Sequence, residues 1–386
     1  MLCGERPILN ASEVVGSCYP HLGRGLEAAR QRQSADFTAF DGFVEQAGKA
    51  LDPTRSDDDA PVMSSGQLEL VGRCPLAFFF RHGLLLEEPK ELVIDPGRWL
   101  DAPALGLLVH EVFEEFIREL LPSARAPNYE QDFPRLTAIL QQKVAAYLET
   151  YPPPNESAFQ DQLNFLNQAT HIFLKEEESL CTREGCLPAH LEVSIGTKRE
   201  GQGTAIDTEE PYVFELPSGK KIRIRGRVDR IDRIGTGALA TFRIWDYKTG
   251  SAYKYRRDDP FRQGRVVQPV VYLAMVGHRL RRALDQEVEI AHFGFFFPNA
   301  KERGNRISWH RQVLAGGSAV LEQLCNIVSN GAFLATNKVD DCNYCSYRGI
   351  CGSVEEVAKS SQCKLDNPRN DLLQPFRELR PDEKTK

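Results

Sequence analysis

Asp246 and Lys248 stand two positions apart in an apolar, β-rich segment, FRIWDYKTG, at residues 242–250. Side chains i and i+2 of a β-strand project to the same face, so this carboxylate and this ammonium are expected to lie side by side. A carboxylate can hold a divalent cation, while an ammonium can orient water and offset charge that builds up on a phosphate. The alternative interpretation is a salt bridge at the end of a strand.

A second acid comes from the preceding basic segment, residues 220–233, which holds seven basic residues and two aspartates and therefore has a net charge of +5. Alternation predicts that Ile222, Ile224 and Val228 share one face and that Asp229 shares the other with arginines. Gly226 would let another element approach the backbone closely. Two antiparallel strands that each deliver an aspartate predict a binuclear-type acid site, although a charged strand face is often only a solvated face.

His110 is the third candidate, on a predicted helix with the sequence LGLLVHEVFEEF. Gly106 lies one turn earlier on the same helix face, where it would leave room for another element. A lone helix histidine is usually a core or surface histidine, so its functional interpretation depends on the two acids.

Cys342, Cys345 and Cys351 form a C-x2-C-x5-C cluster. Three thiolates at this spacing indicate ligands, but zinc and iron–sulfur clusters require a fourth. Cys74, which precedes a proline at the start of an aromatic segment, is the natural candidate. The other six cysteines have no comparable arrangement, and among them only the Cys181 and Cys186 pair is a weak extra-metal candidate.

Basic and aromatic residues alternate after the Asp246 segment, and arginines bind phosphate while aromatic rings stack on unpaired bases. Such runs are often plain solvated loops, and it is the proximity to Asp246 and Lys248 that favours a substrate role. The set comprises Tyr253, Lys254, Tyr255, Arg256, Arg257, Phe261, Arg262 and Arg265, with Arg279, Arg281 and Arg282 as a further patch.

The elements that must position these groups follow from hydrophobic periodicity. Helices are expected from about residue 67 and over about 104–121, 136–148, 158–180, 266–284 and 318–328. Strands are expected over 189–195, 211–216, 220–234, 241–248 and 289–297, and the last 25 or so residues are expected to be polar and loose. A stretch at 52–65 with three consecutive aspartates and two prolines is typical of a linker.

The 386 residues carry a formal net charge of −6, with 41% hydrophobic and 26% charged residues, which excludes a disordered or collagen-like chain. No apolar run reaches the roughly 18 residues of a membrane helix, and the N-terminal residues do not resemble a secretion signal. We therefore expect a cytoplasmic protein. No GxxxxGK[ST] motif occurs, so the sequence predicts no ATP-driven motor.

The ordered series Gly106-xxx-His110, Gly226-xx-Asp229, Asp246-Tyr-Lys248 and Gln268-xxx-Tyr272 resembles the RecB-like branch of the PD-(D/E)XK nuclease superfamily. The resemblance implies an α/β, restriction-endonuclease-like core, a mixed β-sheet flanked by helices. It implies that His110, Asp229, Asp246 and the Tyr247 carbonyl bind Mg²⁺ or Mn²⁺, that Lys248 is catalytic, and that Gln268 and Tyr272 lie beside them. Glu192 is a weak match to a further acidic position of the family.

The cysteine pattern is similar to the iron–sulfur staple in the C-terminal nuclease domain of AddB-type helicase-nuclease subunits. This similarity implies a 4Fe–4S cluster on Cys74, Cys342, Cys345 and Cys351, joining the N- and C-terminal parts, with tetrahedral zinc as the alternative. It also implies three regions: 1–62 as the end of a helicase-like region plus linker, 63–363 as the nuclease domain, and 364–386 as a polar tail.

The implied activity is metal-dependent hydrolysis of DNA phosphodiesters by an exonuclease in DNA end processing, recombination and repair. The implied substrate is single-stranded DNA or an unwound end, with a helicase as partner. Two alternatives remain at this point: a non-catalytic DNA-binding or scaffolding module, and a zinc-stapled regulatory protein without a nucleic-acid role. Intact Asp229, Asp246 and Lys248 count against the first.

Overall fold

The computed structural model describes residues 11–88, 95–199, 202–235 and 239–380. Its helices are α1 Ala11–Cys18, α2 Pro20–Gln33, α3 Glu45–Leu51, α4 Ser65–Arg73, α5 Pro75–Phe78, α6 Ala102–Leu120, α7 Tyr129–Thr150, α8 Glu156–Glu184, α9 Gln268–Leu284, α10 Gly317–Ser329, α11 Arg348–Cys351, α12 Val354–Asp366 and α13 Gln374–Leu379. Its strands are β1 Val62–Ser64, β2 Cys186–Ile195, β3 Tyr212–Glu215, β4 Lys221–Ile234, β5 Ala240–Tyr247, β6 Val288–Phe297 and β7 Asn305–His310. Within the described ranges, no helix is both long and apolar enough to cross a membrane.

The strands form one mixed sheet in the order β1-β4-β5-β6-β7, and β2 and β3 also pair with β4. β1·β4 and β5·β6 are parallel, whereas the other pairs are antiparallel. The expected mixed sheet flanked by helices is therefore confirmed. The 14-residue strand β4 is central, because four other strands pair along its length.

Helices cover both faces of the sheet. One core lies under α4, α9 and α10 and includes Ile224, Val271 and Phe293. A second core lies under α6, α7 and α8 and includes Phe113 and Phe173, whose rings stack at 3.8 Å between centroids. Apolar burial on both faces fixes the sheet between two helical layers.

The alternation predicted for β4 holds only as far as Val228. Beyond it, Ile231 enters the first core, while Arg230 and Asp232 are fully buried in the charged network that Glu177 joins. Arg230 lies 2.6 Å from both Glu177 and Asp232. Full pairing makes this burial of charge tolerable.

The prediction of a loose polar tail from residue 364 is wrong for residues 364–380. α12 and α13 dock on the first core through Leu365, Phe376 and Leu379, all buried. Arg380 donates to the Gly72 carbonyl at 2.9 Å. Few apolar residues, each spaced to face the core, are enough to order this segment. Residues 381–386 of the predicted tail lie outside the described residues.

Part of the predicted N-terminal region is integral to the domain. Val44 N–H donates to the Gly331 carbonyl at 2.9 Å, and the Phe333 N–H donates to the Gly42 carbonyl at 3.0 Å. The predicted linker ends in β1, which pairs with β4. Residues 1–10 lie outside the described residues.

Candidate active site

The two predicted acids lie on adjacent antiparallel strands. The β4·β5 ladder ends at the pair Arg230 and Trp245, and continuing its register sets Asp229 opposite Asp246. Asp229 Oδ2 accepts a hydrogen bond from Tyr247 N–H at 2.8 Å. A side chain thus satisfies the backbone donor where the ladder stops, which fixes the Asp229 carboxylate beside β5.

His110, on α6, reaches across to both strands. Its Nε2 lies 3.2 Å from the Tyr247 carbonyl oxygen, and its Nδ1 lies 3.6 Å from Asp229 Oδ2. A Cβ at Gly106 would meet the Thr249 hydroxyl at 3.7 Å, an ordinary contact, so the helix runs beside the chain that follows β5. The three groups from α6, β4 and β5 therefore meet.

Glu192, on β2, lies close to His110 and Asp229. Within the described ranges, the one group of three potential metal ligands whose atoms all lie within 4.8 Å of one another is His110, Glu192 and Asp229. Glu192 has a left-handed φ of 49°, and its carboxylate lies 2.7 Å from Arg227 Nε. This backbone conformation is uncommon for a non-glycine residue.

Burial, together with crowding of negative charge, raises the pKa values of these acids. Burial, followed by repulsion from Asp246, raises the pKa of Asp229 to about 6. Burial, followed by repulsion from Asp229, raises the pKa of Glu192 to about 8. A bound cation would reverse both effects, because it favours the ionised carboxylates.

Asp246 and Lys248 lie on the same face of β5, as predicted, with Lys248 Nζ 2.6 Å from Asp246 Oδ2. Asp246 is buried, and its Oδ1 accepts a hydrogen bond from Gln268 Nε2. Burial alone would lower the pKa of Lys248, but the attraction of Asp246 outweighs it and raises this pKa above its usual range. The amine is therefore held as an ammonium.

Gln268 and Tyr272 stand on the first turns of α9, facing the sheet. Tyr272 is buried, and burial raises its pKa above the usual range. A Cβ at Gly226 would lie 3.0 Å from both Tyr272 Cε1 and Met275 Cε. The absence of a side chain at Gly226 lets α9 press onto β4, as the sequence predicted.

Glu69, on α4, was not predicted as a site residue. Its Oε1 accepts hydrogen bonds from the backbone N–H groups of Val267 and Gln268, at 2.9 and 3.0 Å. Burial raises its pKa, and Lys248 and Asp246 are near enough to act on its charge. Val267 lacks a side-chain cap of its own, so Glu69 caps α9 from another helix. An acid inside the apolar sequence LELVG was the only signal in the sequence.

The donors gathered here suit a hard divalent cation. Carboxylate and carbonyl oxygens with one imidazole are ligands that Mg²⁺ and, more readily, Mn²⁺ accept. Asp229, His110 and the Tyr247 carbonyl are brought together. Asp246 is close enough to raise the pKa of Asp229, with its two oxygens bound to Lys248 and Gln268.

The four predicted cysteine ligands line one cavity, together with Phe80, Thr336 and Tyr347. Burial raises the pKa of Cys74 and that of Cys351 to about 11 each. The shared cavity brings the four thiols to one place, as a common metal centre requires.

The basic and aromatic set after β5 divides into structural and exposed members. Arg265 binds Asp341 through two hydrogen bonds of 2.8 and 2.7 Å, Arg279 donates to the Ile206 carbonyl, and Tyr255 packs on Phe295. These three residues already contact other parts of the protein, which counts against the predicted substrate role for them. Phe261 and Arg262 are partly buried, and exposed Arg257 donates to the Arg306 carbonyl at 2.7 Å. The exposed members are Tyr253, Lys254, Arg256, Arg257, Arg281 and Arg282.

Comparison with known proteins identifies a family and several relatives of this chain. The model of the PD-(D/E)XK nuclease superfamily matches residues 62–352. The chain is 30% identical over 202 residues to an ATP-dependent helicase/deoxyribonuclease subunit of Bacillus mycoides (strain KBAB4), an alignment that covers 49% of this chain and 15% of the relative. It is 29% identical over 226 residues to the protein of the same name from Bacillus cereus (strain B4264), covering 54% of this chain and 17% of the relative. The chain thus spans about one sixth of the length of these relatives.

Proposed function

The chain belongs to the PD-(D/E)XK nuclease superfamily, and from this premise we propose that it is a metal-dependent deoxyribonuclease. In this proposal it hydrolyses phosphodiester bonds at DNA ends as an exonuclease, during end processing, recombination and repair. The observation that carries the proposal is the approach of His110, Asp229 and the Tyr247 carbonyl to one point, beside the Asp246–Lys248 pair.

His110, Asp229, Asp246 and the Tyr247 carbonyl would hold Mg²⁺ or Mn²⁺. Glu192 would be a further ligand, because its carboxylate lies in the same group of atoms. A bound divalent cation polarises a phosphoryl oxygen and lowers the pKa of a coordinated water.

The residues of the chain supply the rest of the chemistry. Asp246 keeps Lys248 charged and fixed, so the ammonium can position the attacking water and offset the charge that develops on the phosphate. Gln268 orients Asp246 from the opposite side, and Glu69 holds the start of the helix that carries Gln268. These residues are held in place before the substrate binds. Preorganised charges and hydrogen bonds of this kind stabilise the charge that develops in a transition state and so increase the rate.

We also propose that Cys74, Cys342, Cys345 and Cys351 hold a 4Fe–4S cluster. Support comes from the cavity that all four cysteines line. Purified without exposure to oxygen, the protein should be brown and absorb near 400 nm. A colourless protein with stoichiometric zinc would contradict the cluster.

A helicase partner is the third part of the proposal. The relatives carry the name helicase/deoxyribonuclease subunit, and this chain spans about one sixth of their length. A strand unwound by a helicase would reach the site as single-stranded DNA.

The test of the proposed activity is a nuclease assay on labelled single- and double-stranded DNA with Mg²⁺, Mn²⁺ or EDTA. Wild type should digest DNA only with a metal, whereas Asp246→Ala and Lys248→Ala should lose at least 100-fold of the rate. Arg369→Ala, which removes an exposed cation outside every candidate site, is the control. An inert wild type, or mutants that cut equally well, would overturn the assignment.

A further inference from the structure

Two tyrosine rings stand almost fully in water on this protein. Tyr344 is 90% exposed and Tyr253 is 88% exposed, more than any other large apolar side chain in the described part of the chain. Single exposed apolar groups are ordinary, but two rings this exposed on linked segments indicate a binding surface.

Tyr253 stands on a fixed turn rather than on a loose loop. It follows Lys248 by five residues, in the 3₁₀ turn Ala252–Lys254. Glu302 accepts hydrogen bonds from the Ser251 hydroxyl and the Ala252 N–H, both at 3.0 Å. The end of the catalytic strand and the exposed ring are therefore held at a fixed separation.

Tyr344 lies between two of the cysteines, Cys342 and Cys345, and Lys254 connects it to the other ring. Lys254 Nζ lies 5.8 Å from the centroid of Tyr344, within the range of a cation–π contact. The bidentate pair between Arg265 and Asp341 ties the same two segments together a second time. The segment that follows β5 and the cysteine loop thus present one surface.

The charge of this surface suits a nucleic acid. Lys254, Arg256 and Arg257 are exposed here and outnumber the exposed carboxylates Asp258 and Asp340 of the same two segments, although the chain as a whole carries −6. Exposed aromatic rings with neighbouring cations are the combination that holds unpaired bases and their phosphates, whereas paired bases offer no free face for stacking.

We propose that Tyr253, Lys254 and Tyr344 form a stacking platform for the unpaired nucleotides of a DNA strand on its way to the Asp246 site. This inference rests on the proposed nuclease function and adds the residues that receive the single strand before it reaches the site. It also gives the cysteine loop a direct part in substrate binding, beyond that of a structural staple.

The platform is tested by binding of fluorescent oligothymidine and of a blunt duplex, by anisotropy, with divalent metal omitted so that no cleavage occurs. Tyr253→Ala and Tyr344→Ala should each weaken oligothymidine binding about fivefold or more, the value of one lost base stack. Tyr253→Phe and Tyr344→Phe should bind like wild type, since the ring is kept. Tyr19→Ala, an exposed tyrosine elsewhere, is the matched control.

Salt dependence gives a second readout. Lys254→Ala should reduce the slope of log affinity against log salt by about 0.7, the loss of one phosphate contact on a single strand. Unchanged affinity of the alanine variants, an equal loss on the duplex, or no oligothymidine binding by wild type would overturn the platform. If wild type cleaves DNA with metal but the alanine variants bind as well as wild type, the platform is wrong and the proposed nuclease stands. If binding depends on the two rings but wild type never cleaves DNA, the proposed nuclease is wrong and the platform stands.

Discussion

At the scale of residues, the orientation of Asp246 is set before metal or substrate arrives. Lys248 forms an ion pair with one oxygen of this carboxylate, Gln268 donates a hydrogen bond to the other, and the carboxylate is buried. The amide of Gln268 contributes no charge, so its effect on the site must come through geometry.

Gln268→Ala should therefore lower nuclease activity about 10- to 100-fold, as loss of a group that orients a metal ligand does. Much of the loss should be recovered at high Mn²⁺, because the metal then compensates for the misoriented carboxylate. Activity is measured across a metal titration, with exposed Gln312→Ala as the control. Identical titrations for Gln268→Ala and wild type would contradict this role.

The pairing of Asp246 with Lys248 along β5 could be predicted from residue types and spacing. The proximity of His110 to Asp229 could be predicted as well. Both depend on strand periodicity or on a recognisable order of motifs. Glu69 could not be predicted in the same way, because its partners lie 198 and 199 positions away and no spacing connects them. The end of the regular alternation in β4 after Val228 could not be predicted either, because it depends on a charged network that only tertiary packing assembles.

At the scale of elements, α9 is the helix that sets the geometry of the site. It carries Gln268 and Tyr272, yet its N-terminal N–H groups are capped by Glu69 of α4 rather than by a neighbouring residue. Packing of α4 and placement of Gln268 are thereby coupled.

Glu69→Ala should lower the free energy of unfolding by about 0.5–2 kcal/mol, the usual cost of losing a helix cap. It should also reduce nuclease activity, because the first turn of α9 would shift. Glu69→Gln keeps a carbonyl acceptor for the same donors, so it should retain most of the stability. Urea unfolding of both variants provides the measurement, and equal stability of Glu69→Ala and wild type would count against the cap.

Elements with strong periodicity were predictable, including α6, α8, α9, β4, β5 and β6. The short strands β1 and β7 and the helices α12 and α13 were not, because few apolar residues mark them. Leu373, Phe376 and Leu379, at intervals of three, were the available signal for α13.

At the scale of the whole molecule, the proposed cluster would join distant parts of the chain. Cys74 and Cys342 are 268 positions apart. In the chain-entropy model, closing a loop of this length stabilises the folded state by about 5.6 kcal/mol. The cluster would also fix the cysteine loop that carries Tyr344.

Cys74→Ser should therefore remove the absorbance near 400 nm and lower the melting temperature. It should also weaken single-strand binding, since Tyr344 would lose its support. Cys363→Ser, which changes an exposed thiol, is the matched control. Retained absorbance and an unchanged melting temperature in Cys74→Ser would exclude Cys74 as a ligand.

The central claim is that groups from α6, β4 and β5 bind one cation, and anomalous diffraction from crystals soaked in Mn²⁺ tests it most directly. The account predicts a manganese peak contacted by His110, Asp229, Asp246 and the Tyr247 carbonyl, with Glu192 as a further ligand, and no such peak in Asp229→Ala crystals. A peak held by other residues, or one that persists unchanged in Asp229→Ala, would contradict it.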